Sequence, residues 1–283
     1  SETASINLTY GAATQLVLSI EPAGFVNRAD FTTQPVVTVK DVSGNTVTNS
    51  TIKIDATINS GTLTGATQAT AVAGVATFTN LGKHDFIGAN ASRTLTFKDE
   101  AQALTAATKT FTLTHGDAHH LALAVASTLV NDTEFATQPV VTIYDEDENV
   151  VTDGSESTQL VTLSATGASS VTLGGTKTMN AVAGVANFDG KHLKLNGLVG
   201  AKTLKASISS PALIEQPATV TLTYGAAHHL TIDTAAANAS NGAAFGTQPV
   251  VSIRDVNENV VQDSTLRVTA SVSNGSLIGS NQK

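Results

Sequence analysis

The sequence predicts an all-β fold: two-sheet Greek-key sandwiches repeated in tandem as an elongated array. Three observations carry this expectation. Thr, Ala, Val, Ser and Gly dominate the 283 residues and only 13% are charged, which suits strands and turns and leaves little material for amphipathic helices. Short runs of alternating apolar and polar residues recur between clusters of Gly, Asn, Asp and Ser. The same blocks of sequence also recur in one order, two of them in three copies and one in two.

The first block reads FTTQPVVTVKDVSGNTV from Phe31, FATQPVVTIYDEDENVV from Phe135 and FGTQPVVSIRDVNENVV from Phe245. A second, LTYGAATQL at Leu8, returns as LTHGDAHHL at Leu113 and LTYGAAHHL at Leu222. A third, AVAGVATF ending at Phe78, returns as AVAGVANF ending at Phe188. The repeat is therefore roughly 105–110 residues long, enough to close one sandwich core without disulfides. The expected divisions are 1–9, the last strand of a preceding repeat; 10–114, repeat 1; 115–223, repeat 2; and 224–283, an incomplete repeat 3. Both ends fall inside repeats, so the chain reads as a stretch of a longer array.

Within repeat 1, LVLSI places Leu16, Leu18 and Ile20 on one side of a strand. PVVTVKD does the same with Val37 and Val39, and TIKIDATI with Ile52, Ile54, Ala56 and Ile58. Further alternating runs end at Phe78, Phe97 and Leu113. About seven short strands per repeat result, which is the expectation for a Greek-key sandwich of this length. Pro35, Pro139 and Pro249 stand at the first position of a strand, where a missing N–H costs little. Gly74 and Gly184 interrupt AVAGVA where a tight turn or bulge needs unusual backbone angles. DVSGN, Asp41 to Asn45, suits a hairpin turn whose Asp and Asn bond to nearby main chain.

The succession of an alternating strand into DVSGN, then SGTLTG, then AVAGVATF resembles the bacterial immunoglobulin-like repeats of invasin and intimin type. It is also similar to related repeats of surface-layer proteins and giant adhesins. The resemblance covers nearly the whole chain, and its motifs are structural turns. It implies an immunoglobulin-like sandwich and a spacer role at the cell surface, with no catalytic residues to carry over. The TQPVV strand start and the YGAAHH junction depart from the invasin pattern.

Composition excludes several classes of function. There is no cysteine, hence no disulfide framework, thiolate metal site or cysteine nucleophile. A net charge of −8 argues against a surface that tracks nucleic-acid phosphates. No run of 18 apolar residues and no basic-then-apolar N-terminus occurs, so neither a membrane span nor a signal peptide is read in the chain. No nucleophile elbow, glycine-rich phosphate loop or HExxH helix surrounds the Ser and Asp residues, so no catalysis is expected.

Two clusters remain. Asp145, Glu146, Asp147 and Glu148 form the densest acidic run, and Asp145, Asp147 and Glu148 could offer oxygens to Ca²⁺; the bland alternative is a solvated turn. His119 and His120 recur as His228 and His229, with His115 nearby, at the passage between repeats. Imidazoles bind Zn²⁺ or Cu²⁺, but neighbours in a strand point to opposite faces, so junction packing is the expected role. Asn-x-Ser/Thr triplets begin at Asn7, Asn49, Asn90, Asn131, Asn238 and Asn274 and permit glycosylation.

The function expected is that of a spacer or stalk in a large extracellular surface protein, with neighbouring repeats of the same polypeptide as its partners. Self-assembly of identical chains into a surface layer or filament is one alternative. An adhesin module for host or surface glycans or proteins is the other, although the chain has no Trp and only three Tyr for stacking on sugars.

Overall fold

A computed structural model describes residues 6–84, 92–210 and 212–279. The chain divides into two compact units, residues 1–120 with 143–157, and residues 121–142 with 158–283. Among the described residues the only helical element is a 3₁₀ turn, Ser155–Thr158, and no helix is long and apolar enough to cross a membrane.

Repeat 1 shows how the alternation becomes a sandwich. One sheet orders Ala13–Ile20, Val36–Asp41 and Val75–Thr77; the other orders Ala107–Thr112, Ser92–Asp99, Lys53–Ile58 and Gln68–Thr70. These seven strands match the expected number. Three further strands of two or three residues, Ala29–Asp30, Gly82–His84 and Thr62–Thr64, make a small third sheet. Because side chains alternate across a strand, each sheet turns one apolar row inward. Val37 and Val39 from the first sheet and Ile54, Leu95 and Phe97 from the second are wholly buried in one core with Phe78. Phe78 and Phe97 meet edge to face, centroids 5.1 Å apart. Ile20 departs from the expectation: it is half exposed, because the strand ends there.

Repeat 2 builds the same way around a five-stranded sheet that orders Thr128–Val130, Ala218–Thr223, Gly200–Ser207, Leu160–Thr166 and Thr178–Asn180. The first two strands pair in parallel, and a parallel bridge between Val26 and Thr114 closes repeat 1 likewise. Repeat 3 is described as the antiparallel pair His229–Thr234 and Val250–Arg254. Residues 1–5 of the expected leading strand lie outside the described residues. Residues 6–9 form no strand, with Ile6 and Leu8 projecting into solvent; no ladder partner meets them among the described residues.

The recurring motifs have local causes. In FxTQP the Phe is core and the Gln is a clasp: Gln34 Nε2 donates to the Phe31 and Leu81 carbonyls at 2.8 and 3.0 Å, and its Oε1 accepts the Leu81 N–H at 2.8 Å. Gln138 repeats this with Phe135 and Leu193. In AVAGVA both central residues have positive φ, +50° at Ala73 and +76° at Gly74, the geometry of a two-residue type I′ hairpin turn. A Cβ on Gly74 would stand 2.5 Å from the Val47 carbonyl oxygen, so only glycine fits.

Candidate functional site at the repeat junctions

The DxxxN turn that follows the TQPVV strand of each repeat is more than a hairpin. Asp41, Asp145 and Asp255 are all buried, at 2%, 1% and 0% exposure, and each carboxylate is the hub of one hydrogen-bond pattern. Asp145 Oδ1 accepts the N–H groups of Asp147 and Asn149, both at 2.9 Å, and the Asn149 carboxamide at 3.1 Å. Its Oδ2 accepts the Gly116 N–H at 2.8 Å, which ties the turn to the first residues of its own repeat. The same Oδ2 accepts the Asn27 carboxamide at 3.0 Å, from the preceding repeat. All of these residues lie within the first compact unit.

The second junction, inside the second unit, repeats the arrangement. Asp255 accepts the N–H groups of Asn257 and Asn259 and the Asn259 carboxamide, while its Oδ2 takes Gly225 N–H at 2.9 Å and Asn131 Nδ2 at 3.3 Å. Asn257 Nδ2 donates to Asn131 Oδ1 at 3.0 Å, and Asn259 Oδ1 accepts the Val199 N–H at 2.9 Å. Asp41 has the local half of the pattern, with donors Gly11, Ser43 and Asn45.

The junction glycine follows from this packing. A Cβ on Gly116 would lie 2.9 Å from the Asn27 carbonyl oxygen, and one on Gly225 would lie 2.6 Å from that of Asn131. Close approach of one repeat's backbone to the next therefore requires glycine at this place in the YGAA and HGDA motifs. Asn27 and Asn131 each stand four residues before the motif Phe and precede a residue of positive φ, +59° at Arg28 and +56° at Asp132.

Charge reinforces the first junction. Arg28 grips Asp147 with Nε and Nη2, both at 2.8 Å, and reaches Glu146 with Nη1 at 3.1 Å. The Arg28 hydrogen bond is the main cause that lowers the Asp147 pKa, and it raises that of Arg28. Burial by itself pushes Asp145 and Asp255 up, but the glycine N–H and the asparagine donors more than offset it and hold both below the ordinary 3.8. Asp41 is lowered to about 2, chiefly by the Gly11 N–H. For depressed carboxylates the stabilisation is complete above the unfolded value and lost as pH falls through the folded one. Melting temperature is therefore expected to be flat from pH 7 to about 4 and to drop steeply towards pH 2; a thermal melt at each pH checks this.

The residues singled out in the sequence can now be placed. Asp145 is saturated with donors, Asp147 is held by Arg28 and Asn27, and Glu148 lies 3.4 Å from His120. Among the described residues no group of three or more His, Asp or Glu side chains is arranged to hold a metal ion; calorimetric titration with Ca²⁺ tests that expectation directly. The histidine geometry corrects the opposite-face argument. His119 and His228 precede the strands His120–Ala124 and His229–Thr234 and escape the pleat, so their Nδ1 atoms approach those of His120 and His229 to 3.4 and 3.2 Å. Of the glycosylation triplets, Asn90 lies outside the described residues, and Asn131 is 1% exposed and committed to the junction.

No family model and no curated protein matches the chain. Solved structures similar to it include the adhesin FdeC of Escherichia coli, 16% identical over 89% of this chain and 77% of that one, with a TM-score of 0.43. The surface-layer protein SbsC, domains 1–6, is 14% identical over 92% of this chain and 34% of that one, with a TM-score of 0.31. A β-glycosidase from Bacteroides vulgatus is 11% identical over 73% of this chain and 25% of that one, with a TM-score of 0.32.

Proposed function

We propose that the chain is a non-catalytic spacer: serial sandwich repeats, locked end to end, that carry other parts of a cell-surface protein away from its anchor. The observation that supports this is the Asn–Asp–Gly lock, which recurs at both junctions with the same atoms in the same roles. A flexible linker would need none of it. Each lock buries a carboxylate and satisfies it from both repeats, so relative motion takes donors away from a buried acceptor. Stability then adds up from units and nearest-neighbour junctions, and reach grows with the number of repeats.

Small-angle scattering of the intact chain tests the reading. A maximum dimension that fits serial domains is expected, and it should be lost to a broader distribution when Asn27 and Asn131 are both changed to Ala. Scattering from a single globule, or a distribution indifferent to those changes, would overturn the proposal.

A further inference from the structure

Beyond the spacer role, we propose that each pair of adjacent histidines, His119–His120 and His228–His229, is a binding site for an imidazole-seeking divalent cation such as Zn²⁺ or Cu²⁺. The geometry is the first argument. The two Nδ1 atoms stand 3.4 Å apart in repeat 2 and 3.2 Å apart in repeat 3, with rings crossed at 85° and 83°. Two nitrogens each about 2.05 Å from one tetrahedral cation are separated by roughly 3.3 Å. Both separations also fit a ring-to-ring hydrogen bond, and the titration below separates that state from cation binding.

The arrangement survives a change of surroundings. His120 is buried and stacks on Tyr144, 5.4 Å between ring centroids, whereas the corresponding neighbour in repeat 3 is Arg254 and His229 is about a third exposed. What the two copies share is a backbone clamp: His119 N–H donates to the Tyr144 carbonyl and His228 N–H to that of Arg254, at 2.8 and 2.7 Å. This clamp places the first ring of each pair against the second.

The far side of each inner ring supplies the second argument. Glu148 Oε1 lies 3.4 Å from His120 Nε2, and Glu258 Oε1 lies 3.2 Å from His229 Nε2. Each carboxylate thus stands beside the outer nitrogen of the inner ring, the place where the second-shell partner of a metal-bound imidazole stands. Both glutamates occupy left-handed backbone positions, φ +62° and +66°, which non-glycine residues adopt at a cost. Repeat 1 has glycine there, Gly44 at φ +82°, and Thr14 and Gln15 in place of the histidines. The strained glutamate thus occurs in those copies that carry the pair. Two imidazoles leave two positions of a tetrahedral ion for water, so this is an open site of modest affinity.

Zn²⁺ titrated calorimetrically into the intact chain near pH 7, with Cu²⁺ followed by electron paramagnetic resonance, tests the assignment. Two sites per chain are expected, with imidazole nitrogen hyperfine structure on the copper signal. His119→Gln and His228→Gln, at a half-buried and an exposed position, should each remove one site and together remove both. Glu148→Gln should weaken the repeat 2 site by about tenfold. No saturable binding, or binding that the double histidine variant leaves unchanged, would overturn the proposal; an unchanged affinity in Glu148→Gln would overturn the role of the glutamate.

Discussion

Asp145→Ala is expected to destabilise the first unit by about 3–5 kcal/mol, because it strips the acceptor from a buried hub and leaves its donors behind. The Gly116, Asp147 and Asn149 N–H groups and the Asn149 and Asn27 carboxamides all point at this carboxylate. Each buried donor without a partner costs roughly 1–3 kcal/mol, and water that enters the cavity recovers part of the sum. In a unit of this size the loss should lower the melting temperature by roughly 10–20 °C. Asp145→Asn keeps one acceptor oxygen and should cost about half as much. Glu146→Ala, at an exposed partner of Arg28, should stay within about 0.5 kcal/mol. Calorimetry on the three variants separates the cases, and an Asp145→Ala chain that melts like the parent would show that the hub holds nothing together.

Phe97→Ala should have an effect of similar size for a different reason. Phe97 is wholly buried in the sheet formed with Lys53–Ile58 and Ala107–Thr112, and it packs edge to face on Phe78 from across the sandwich. Removing the ring deletes apolar contacts and leaves a cavity that two hydrogen-bonded sheets cannot collapse into, at a cost of about 3–5 kcal/mol. Ile20→Ala, on the same repeat but half exposed, should cost less than about 1 kcal/mol. Denaturant midpoints for the pair measure the contrast. Near-equal losses would mean that the sandwich is not packed around the Phe78–Phe97 contact.

These two predictions mark what the sequence makes legible and what it hides. Phe97, Val37, Val39 and Ile54 announce their burial through period-two alternation, a local signal that any strand of a sandwich must carry. Lys83 and Lys202 do not: both are buried, although a lysine in a strand reads as solvent-facing. Lys202 hides its stem in the core and ends on the Ser169 hydroxyl, a contact set by a loop 33 residues away.

Asp145 is hidden for a similar reason. Four acidic residues in a row read as a solvated turn, and the partner that buries the first of them, Asn27, lies 118 residues earlier. A signal was nevertheless present. Between Asp and Asn the three copies read VSG, EDE and VNE, so the ends of the turn persist while its middle drifts, as expected where only the ends have a fixed partner. The Asn four residues before each motif Phe, at 27, 131 and 241, is the matching half.

The junction chemistry also gives each repeat a direction, since the asparagine loop and the aspartate turn are different surfaces and only one order of assembly brings them together. Any single unit carries both halves. A gene that copied one such unit in frame would lengthen the protein without inventing a new contact, because the inserted copy would mate with its neighbours on either side. Growth by duplication would then be limited by the gene, and no longer by the need to evolve an interface.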